Sequence, residues 1–398
     1  MTTFINYDKS EQDTLRFDVQ NCRSSFVNAI RRTIITDVET ISFNVEDYND
    51  SDLKIIENTT SLHNEFILHR MGLIPIYSDN VSNYNPDNYK FILKKDNNTQ
   101  NIVDVTTKDI QVINLETNQT EDTEKFFPKN EFTKDHILIV KLKPNPNGIG
   151  QKIHIEGKSS KGTGSKHIRF SPVSNVLFIN KKNPDLVNSE FSAYISKLQQ
   201  ENNITFNETQ LKKIGRQFEI EQSERLFYVD ENNDPNVFEF SIETCGVLKP
   251  HRILIESLAA LESKLKNMIM ELEKELSGKP SSIKIKDSEC VMKSFDIIIE
   301  NENHTLGNLI QSYINNDNKD NDVFVGYMNP HPLKNEIFFR IKSDDINQVK
   351  DIIISTTTKL IETFSRLRSE VLKEFEGKIV FKPKKKKKTT TKAEPENI

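Results

Sequence analysis

The chain lacks the features that mark membrane and secreted proteins. No apolar run reaches the roughly 20 residues that a membrane-spanning helix needs. Residues 1–6 (MTTFIN) do not show the basic stretch followed by an apolar stretch that is typical of a signal peptide. We therefore expect an intracellular protein with no membrane partner.

Cysteine is scarce, and positive charge is not in excess. The three cysteines, Cys22, Cys245 and Cys290, lie far apart, and none belongs to a C-x-x-C pair. This spacing suggests neither a disulfide framework nor a sequence-local zinc site, so we expect buried free thiols. The formal net charge of −5 argues against attraction of nucleic acid to the whole surface.

What the chain does contain is a short amphipathic segment near its start, at 24–37. Val27, Ile30 and Ile34 fall on one face of a helix with this sequence. Ser24 and Ser25 precede the apolar run and are candidates for its N-cap. Because so short a helix is marginal alone in water, it must be held by packing.

The same order of elements is predicted twice along the chain. A hairpin over 4–19 and a strand at 41–45 flank the first short helix, and a strand at 237–242 precedes a long helix that ends near 277–280. A strand at 295–299, a short helix beginning at 304–310, strands at 323–327 and 337–341, and a second long helix then follow. Both long helices carry apolar residues at alternating three- and four-residue spacing.

These patterns predict an α+β fold of two related units, the first of which is interrupted. We expect the first unit at 1–45 and 227–278, an inserted α+β domain at 46–226, a smaller second unit at 279–380, and a disordered tail at 381–398. A chain of 398 residues has room for such cores.

Each unit alone has too little core to be stable, so the two apolar seams need each other. Pairing within one chain places the partner at high effective concentration. The side chains predicted to form this seam are Val27, Ile30, Ile34, Leu254, Leu258, Leu261, Leu265, Met268, Leu306, Leu309, Ile353, Leu360, Phe364 and Leu367.

Several stretches resemble the alpha-like subunits of cellular RNA polymerases, whose dimerising halves carry a motif like HTLGN-ALRR. Residues 28–35 (NAIRRTII) match its second part, and 304–310 (HTLGNLI) match its first. Residues 63–75 (HNEFILHRMGLIP), 161–173 (KGTGSKHIRFSPV) and 243–250 (ETCGVLKP) are similar to the larger alpha-like subunit, the third of RNA polymerase II. Residues 324–333 (FVGYMNPHPL) are similar to the smaller one, the eleventh.

The resemblance implies a non-catalytic assembly subunit of a DNA-directed RNA polymerase, with both alpha-like subunits joined in one chain. Its implied partners are the second-largest and largest polymerase subunits and a small zinc-ribbon-type subunit. DNA would be reached only through the complex, and no homodimer is expected. Such fusions occur in large nucleocytoplasmic DNA viruses, so we expect a location in the host cytoplasm or the virion, with the nucleus as a further possibility.

No cofactor is expected. Many larger alpha-like subunits hold zinc or an iron–sulfur cluster through cysteines of the insert, whereas this chain has no cysteine between Cys22 and Cys245. The chain also has no carboxylate cluster like the D-x-D-x-D that nucleotidyl transfer needs.

The resemblance further implies a surface that docks the large subunits. Its predicted members are Arg31, Arg32, Glu65, His69, Arg70, Lys161, Gly162, Gly164, His167 and Pro172. The alternative for the two arginines is a solvated helix face. Thr305 is predicted to cap its helix, and the turn at 330–332 (PHP) is either structural or part of the interface.

A stand-alone enzyme is the second alternative, and it would rely on two motifs that do not fit such chemistry. His63 and His69 cannot both bind one ion, because six residues of helix place them about 240° apart. In the glycine-rich 157–164, Thr163 stands where a phosphate loop requires lysine. We expect the histidine segment to be a docking surface, and the glycines to allow close backbone approach to a partner or to the chain's own core.

A third alternative is a nucleic-acid-binding protein that acts through its lysine-rich end. Lys384 to Lys388 form an unbroken basic run. Such runs are usually solvated tails, although nuclear targeting and polyanion binding are further roles.

Overall fold

The computed structural model describes residues 1–8, 10–47, 50–130, 132–144, 150–202, 206–288, 293–318 and 323–377. Within these ranges no helix has the length and apolar character to cross a membrane. The predicted tail, with Lys384 to Lys388, and Cys290 lie outside the described residues. The helices are α1 (Ser24–Thr36), α2 (Asn64–Gly72), α3 (Pro184–Asn202), α4 (Glu208–Glu221), α5 (Pro250–Leu276), α6 (His304–Asp317) and α7 (Ile346–Glu376).

All paired strands among the described residues are antiparallel. They are β1 (Thr3–Asp8), β2 (Thr14–Gln20), β3 (Glu39–Ser42), β4 (Leu53–Asn58), β5 (Tyr89–Asp96), β6 (Val103–Thr106), β7 (Ile110–Asn114), β8 (Gln119–Glu121), β9 (Leu138–Leu142), β10 (Lys152–Gly157), β11 (Ser160–Thr163), β12 (Val173–Asn180), β13 (Val237–Thr244), β14 (Ile283–Asp287), β15 (Ser294–Glu300), β16 (Val325–Met328) and β17 (Glu336–Lys342).

Two four-stranded sheets share one topology. The first sheet has the order β1-β2-β13-β12 and the second has the order β14-β15-β17-β16. All neighbouring strands in both are antiparallel. In each sheet the second strand of the hairpin leads into a short helix, α1 or α6. The strand beside that hairpin leads into a long helix, α5 or α7.

Burial follows the same correspondence. Every buried residue of α7 has a buried counterpart in α5 at a constant offset of 99 residues, as from Pro250 to Val349. Every buried residue of α6 likewise has a buried counterpart in α1 at an offset of 280, as from Phe26 to Leu306. A helix with 3.6 residues per turn buries one apolar stripe along its length. Because the buried positions correspond, α5 and α7 present equivalent faces, and so do α1 and α6.

The remaining strands lie between β3 and β12 in the chain. They form a five-stranded sheet, β4-β10-β5-β7-β8, and the two-stranded pairs β3–β11 and β6–β9. Helices α3 and α4 follow β12 and pack through Phe191 and Tyr194 against Phe218. Among the described residues of this helical pair Phe218 is buried, and Ile220 is 79% exposed.

The two long helices contact each other in antiparallel orientation. Arg252 near the start of α5 pairs with Glu376 at the end of α7, 3.2 Å between Nη1 and Oε1. Ten residues further along α5, Glu262 pairs with Arg368, 3.3 Å between Oε2 and Nη1. The predicted seam residues are all buried and belong to one continuous hydrophobic core.

Several local predictions were wrong. The N-cap of α1 is Arg23 rather than Ser24 or Ser25, and its side chain makes no capping hydrogen bond. The strand expected at 41–45 is β3, which begins at Glu39 and ends at Ser42, where it pairs with β11. Cys22 is buried as expected, whereas Cys245 is exposed. Its Sγ donates to the carbonyl of Ser171, which satisfies the thiol at the surface (3.3 Å).

Candidate subunit interface

The first candidate surface is the helix junction, where α1 and α5 meet α6 and α7. Phe26 of α1 stacks on Phe364 of α7, with ring centroids 4.8 Å apart and an interplanar angle of 6°. Tyr313 of α6 lies 6.2 Å from Phe26 in a tilted arrangement. Both phenylalanines are fully buried, so this contact removes two large rings from water.

Arg32 makes a polar contact inside the chain, between α1 and α6. Its Nε donates to the Thr305 hydroxyl of α6, 2.7 Å away, so the guanidinium is engaged across the junction. Thr305 was predicted to be the cap of its helix, and this was wrong. The cap is Asn303, whose Oδ1 accepts from the Thr305 amide at 2.9 Å. Thr305 instead lies in the first turn, with its side chain free to accept from Arg32.

Three charged groups meet at the edge of the junction. Lys264 of α5 lies 3.2 Å from Asp37, the C-cap of α1, and 3.9 Å from Glu302, which precedes α6. Burial raises the pKa of Glu302; the Lys264 charge opposes the shift and the Asp37 charge adds to it. One lysine thus serves two carboxylates from different parts of the chain.

The second candidate surface is the outward side of α2. Phe66, His69, Arg70 and Leu73 recur at i, i+3, i+4 and i+7, and all four are exposed. Phe66 is 68% exposed and Leu73 is 53% exposed. The inward side is Ile67, Leu68 and Met71, all buried, which fixes the helix on the core. The Arg70 side chain is fixed by a hydrogen bond from its Nη2 to the Leu138 carbonyl oxygen, 2.8 Å away.

The loop after β11 lies against this surface. His167 accepts hydrogen bonds at Nδ1 from the backbone amide of Arg169 (3.1 Å) and from its Nε (2.9 Å). Arg169 also donates from Nη1 to the Phe43 carbonyl, 3.1 Å away. Burial lowers the pKa of His167, and the Arg169 and His69 charges lower it further while Glu46 opposes them. The imidazole is therefore neutral near pH 7, as an acceptor at Nδ1 requires.

Glycines bring this loop onto the end of α1. A Cβ at Gly164 would lie 1.9 Å from the Ile35 carbonyl oxygen, and one at Gly162 would lie 2.8 Å from the Phe170 ring. Next to Gly164, the Ser165 amide donates to the Thr36 carbonyl at 3.0 Å. The close approach is therefore to the chain's own core, one of the two roles expected for these glycines. The segment runs from strand to strand rather than from strand to helix, unlike a phosphate loop.

The predicted docking residues fall into three groups. Glu65, His69 and Arg70 lie exposed on α2. Arg31, Arg32, Lys161, Gly164 and His167 are half-buried, and Gly162 and Pro172 are buried. Arg31 donates from Nε to Asn28 of its own helix, 3.1 Å away. The structure thus brings His69 and His167 together, whereas it turns Arg32 towards α6.

Sequence reasoning missed Phe66, Leu73, Ile168 and Arg169. Ile168 is 67% exposed and sits between the two residues that form the His167–Arg169 hydrogen bonds. The helical spacing of Phe66, His69, Arg70 and Leu73 carried the signal for an outward face, since two large apolar residues share one exposed stripe with a histidine and an arginine.

Metal-ligating side chains do not cluster among the described residues. No group of three or more His, Cys, Asp and Glu side chains within them is arranged to hold a metal ion. His63 precedes α2 as its N-cap, and His69 lies near the end of that helix.

Two family models match the sequence of this chain. The sequence model of the RNA polymerase Rpb3/Rpb11 dimerisation domain matches residues 16–265, and a second model with the same description matches residues 294–370. The chain is 26% identical over 306 residues to a conjugation stage-specific protein of Tetrahymena thermophila, covering 66% of this chain and 93% of that protein.

Two polymerase subunits are similarly related. Subunit 3 of DNA-directed RNA polymerases II, IV and V from Arabidopsis thaliana is 24% identical over 298 residues, covering 66% of this chain and 88% of the relative. Subunit Rpo3 of the DNA-directed RNA polymerase of Methanopyrus kandleri is 24% identical over 294 residues, covering 69% and 96%. The match over 16–265 spans more than half of the sequence, and the chain belongs to the RNA polymerase Rpb3/Rpb11 dimerisation-domain family.

Proposed function

We propose that this chain is a non-catalytic assembly subunit of a multisubunit DNA-directed RNA polymerase. Its two alpha-like units, one containing the first sheet with α1 and α5 and one containing the second sheet with α6 and α7, pair within the chain. The paired units dock the second-largest and largest subunits, with a small zinc-ribbon-type subunit as a further partner. The chain's contribution is positional, because binding energy holds the large subunits in one geometry.

One observation carries the proposal. Two matches to the same dimerisation domain fall in the two parts of the chain whose long helices contact each other. The shared strand order and the matched burial of α5 and α7 support an origin of both parts in one kind of unit. The stacked Phe26 and Phe364 support a junction inside the chain rather than between copies.

The docking part of the proposal is supported by the outward side of α2. Phe66, Leu73 and Ile168 expose apolar area beside His69 and Arg70, the combination that protein interfaces favour. The helix is fixed from below by buried residues, so docking costs little ordering entropy. Glu46 lies 3.7 Å from His167 at this surface and adds a carboxylate for cations of a partner.

The test is capture of the large subunits by the tagged full-length chain when the polymerase subunits are expressed together, followed by mass spectrometry. We expect both large subunits with the unchanged chain. Phe66→Asp should abolish capture of the subunit that docks on α2 while the free energy of unfolding changes by less than about 0.5 kcal/mol, since the ring is exposed.

Ile220→Asp on α4 is the matched control, because Ile220 is at least as exposed as Phe66 but lies outside the proposed surface. It should leave capture intact. Capture of neither large subunit by the unchanged chain would overturn the proposed function. Normal capture by Phe66→Asp would remove α2 from the interface.

A viral origin, with the chain in the host cytoplasm or the virion, remains part of the proposal on the grounds given by the sequence. The lysine run at Lys384 to Lys388 is proposed to be an accessory, so its deletion should leave assembly intact.

A further inference from the structure

A buried ion pair across the seam breaks the correspondence between the two long helices. Glu262 of α5 is buried, with 8% of its surface exposed. Its counterpart in α7, at the offset of 99, is Ile361. Arg368, the partner of Glu262 across the seam, has Ile269 as its counterpart in α5. The positions equivalent to the ion pair are therefore both isoleucine. The seam carries the ion pair on one side of its centre and two apolar residues at the equivalent place on the other side.

The buried carboxylate depends on α7. Oε1 of Glu262 accepts from Lys266 of the same helix at 2.5 Å, so this contact persists whatever α5 pairs with. Oε2 is buried, and its ion-pair partner, Arg368 Nη1 at 3.3 Å, comes from across the seam. A buried carboxylate oxygen that loses its cation keeps the full cost of its desolvation.

Like pairing would separate this ion pair. The antiparallel contacts of Arg252 with Glu376 and of Glu262 with Arg368 fix which positions face each other. If α5 met α5 of a second copy in the same geometry, Glu262 would face Ile269. If α7 met α7, Arg368 would face Ile361. Only the unlike pair places the cation opposite the acid.

We infer that Glu262 and Arg368 select the unlike pair, so that α5 joins α7 instead of a second copy of itself. The inference rests on the proposed pairing of the two units and adds the residues that decide it. The apolar seam supplies the attraction, which it would supply to either pairing. A single buried polar position is the device that specifies partners in paired helices at some cost in stability.

The test replaces both charges with the residue found at their counterpart positions. The full-length chain and its variant Glu262→Ile with Arg368→Ile are unfolded in urea, refolded at equal concentration, and separated by size exclusion with light scattering. We expect the unchanged chain to be monomeric. The variant should fold, and its dimeric fraction should rise by about tenfold or more, since like pairing no longer leaves a buried charge without its partner.

Two further variants separate the effect of the buried charges from the effects of core volume and of losing any ion pair. Glu262→Gln with Arg368→Gln removes the charges without enlarging the core, and the same rise is expected. Lys359→Gln with Asp317→Asn removes an ion pair of 2.9 Å between α7 and α6, within the second unit, and should leave the chain monomeric.

The inference would be overturned if the isoleucine and the glutamine double variants both fold and both stay as monomeric as the unchanged chain. That outcome differs from failure of the proposed function. If the proposed function failed, cross-linking of the unchanged chain would not join α5 to α7, and the chain would capture no large subunit.

Discussion

The helix junction and the outward side of α2 are both apolar surfaces, but they are built in opposite ways. At the junction, Phe26 and Phe364 are fully buried and stack on each other. On α2, Phe66 is 68% exposed and shares the surface with the exposed Glu65, His69 and Arg70. The buried residues of the junction run along most of α5 and α7, whereas the α2 surface is about two helix turns and an adjoining loop.

The difference separates stability from recognition. Burial of a large apolar side chain is worth about 1.5–3 kcal/mol relative to leaving it exposed, so the junction contributes to folding. An exposed phenylalanine contributes little until a partner covers it. Substitutions at the junction should therefore change the free energy of unfolding, and substitutions on α2 should change capture of partners.

Leu261→Asp should break the junction most severely. Leu261 is 1% exposed and sits in the middle of α5, so the carboxylate would be buried without a partner. We expect a loss of more than about 4 kcal/mol, which leaves little soluble folded protein. Soluble yield and circular dichroism check this, with Asn267→Asp on the exposed side of the same helix as control. Near-normal stability of Leu261→Asp would mean that the seam is open to water.

Gly164→Ala should affect the link between the two regions. The new Cβ would lie 1.9 Å from the Ile35 carbonyl oxygen, and backbone cannot give way as a flexible side chain can. We expect a loss of about 2 kcal/mol, measured by urea unfolding. Gly326→Ala is the control, because the nearest atom to its Cβ would be 3.8 Å away. Equal stability of both variants would contradict the close approach of the loop to α1.

The two neighbouring arginines of α1 sharpen the comparison between inward and outward contacts. Arg32→Ala removes the bond to Thr305 across the junction and should cost about 1–2 kcal/mol. Arg31→Ala loses a contact within one turn of α1 and should cost less than about 0.5 kcal/mol. Thermal unfolding of both variants decides the matter. A larger loss for Arg31→Ala would reverse the assignment.

The smallest effect concerns pH. Because burial raises the pKa of Glu302, the folded state binds its proton more tightly than the unfolded state does. Stability from this group is therefore fully present below the ordinary glutamate pKa of 4.5 and is lost as pH rises through the folded-state pKa. Glu302→Gln should remove this decline just above pH 4.5, as seen in melting temperature. An unchanged decline would assign it to other groups, and exposed Glu65→Gln is the control.

The sequence predicted the elements whose spacing repeats. Alternating three- and four-residue spacing of apolar residues marked α5 and α7, and two-residue alternation is present in β2 and β13, because periodic burial leaves a periodic pattern. The repeated order of strand, short helix and long helix was also visible. What local sequence could not give was the pairing of β3 with β11, which joins residues more than a hundred positions apart.

Site residues were harder to predict than the fold, because their direction depends on what packs nearby. Arg31 and Arg32 are one residue apart, and a helix turns about 100° between them. Only the position of α6 decides that Arg32 reaches Thr305 while Arg31 stays on its own helix. In the same way, Thr305 was predicted to cap α6, but the backbone is still extended at Asn303 and helical from His304, so Asn303 is the cap.

A double-mutant cycle on Phe26 and Phe364 tests the central claim, that the two units pair inside the chain. The free energies of unfolding of Phe26→Ala, Phe364→Ala and the double variant are measured in urea at low protein concentration. The stacked rings predict a coupling of about 0.5–1.5 kcal/mol that does not depend on concentration. Strictly additive losses, or a coupling that vanishes on dilution, would contradict it.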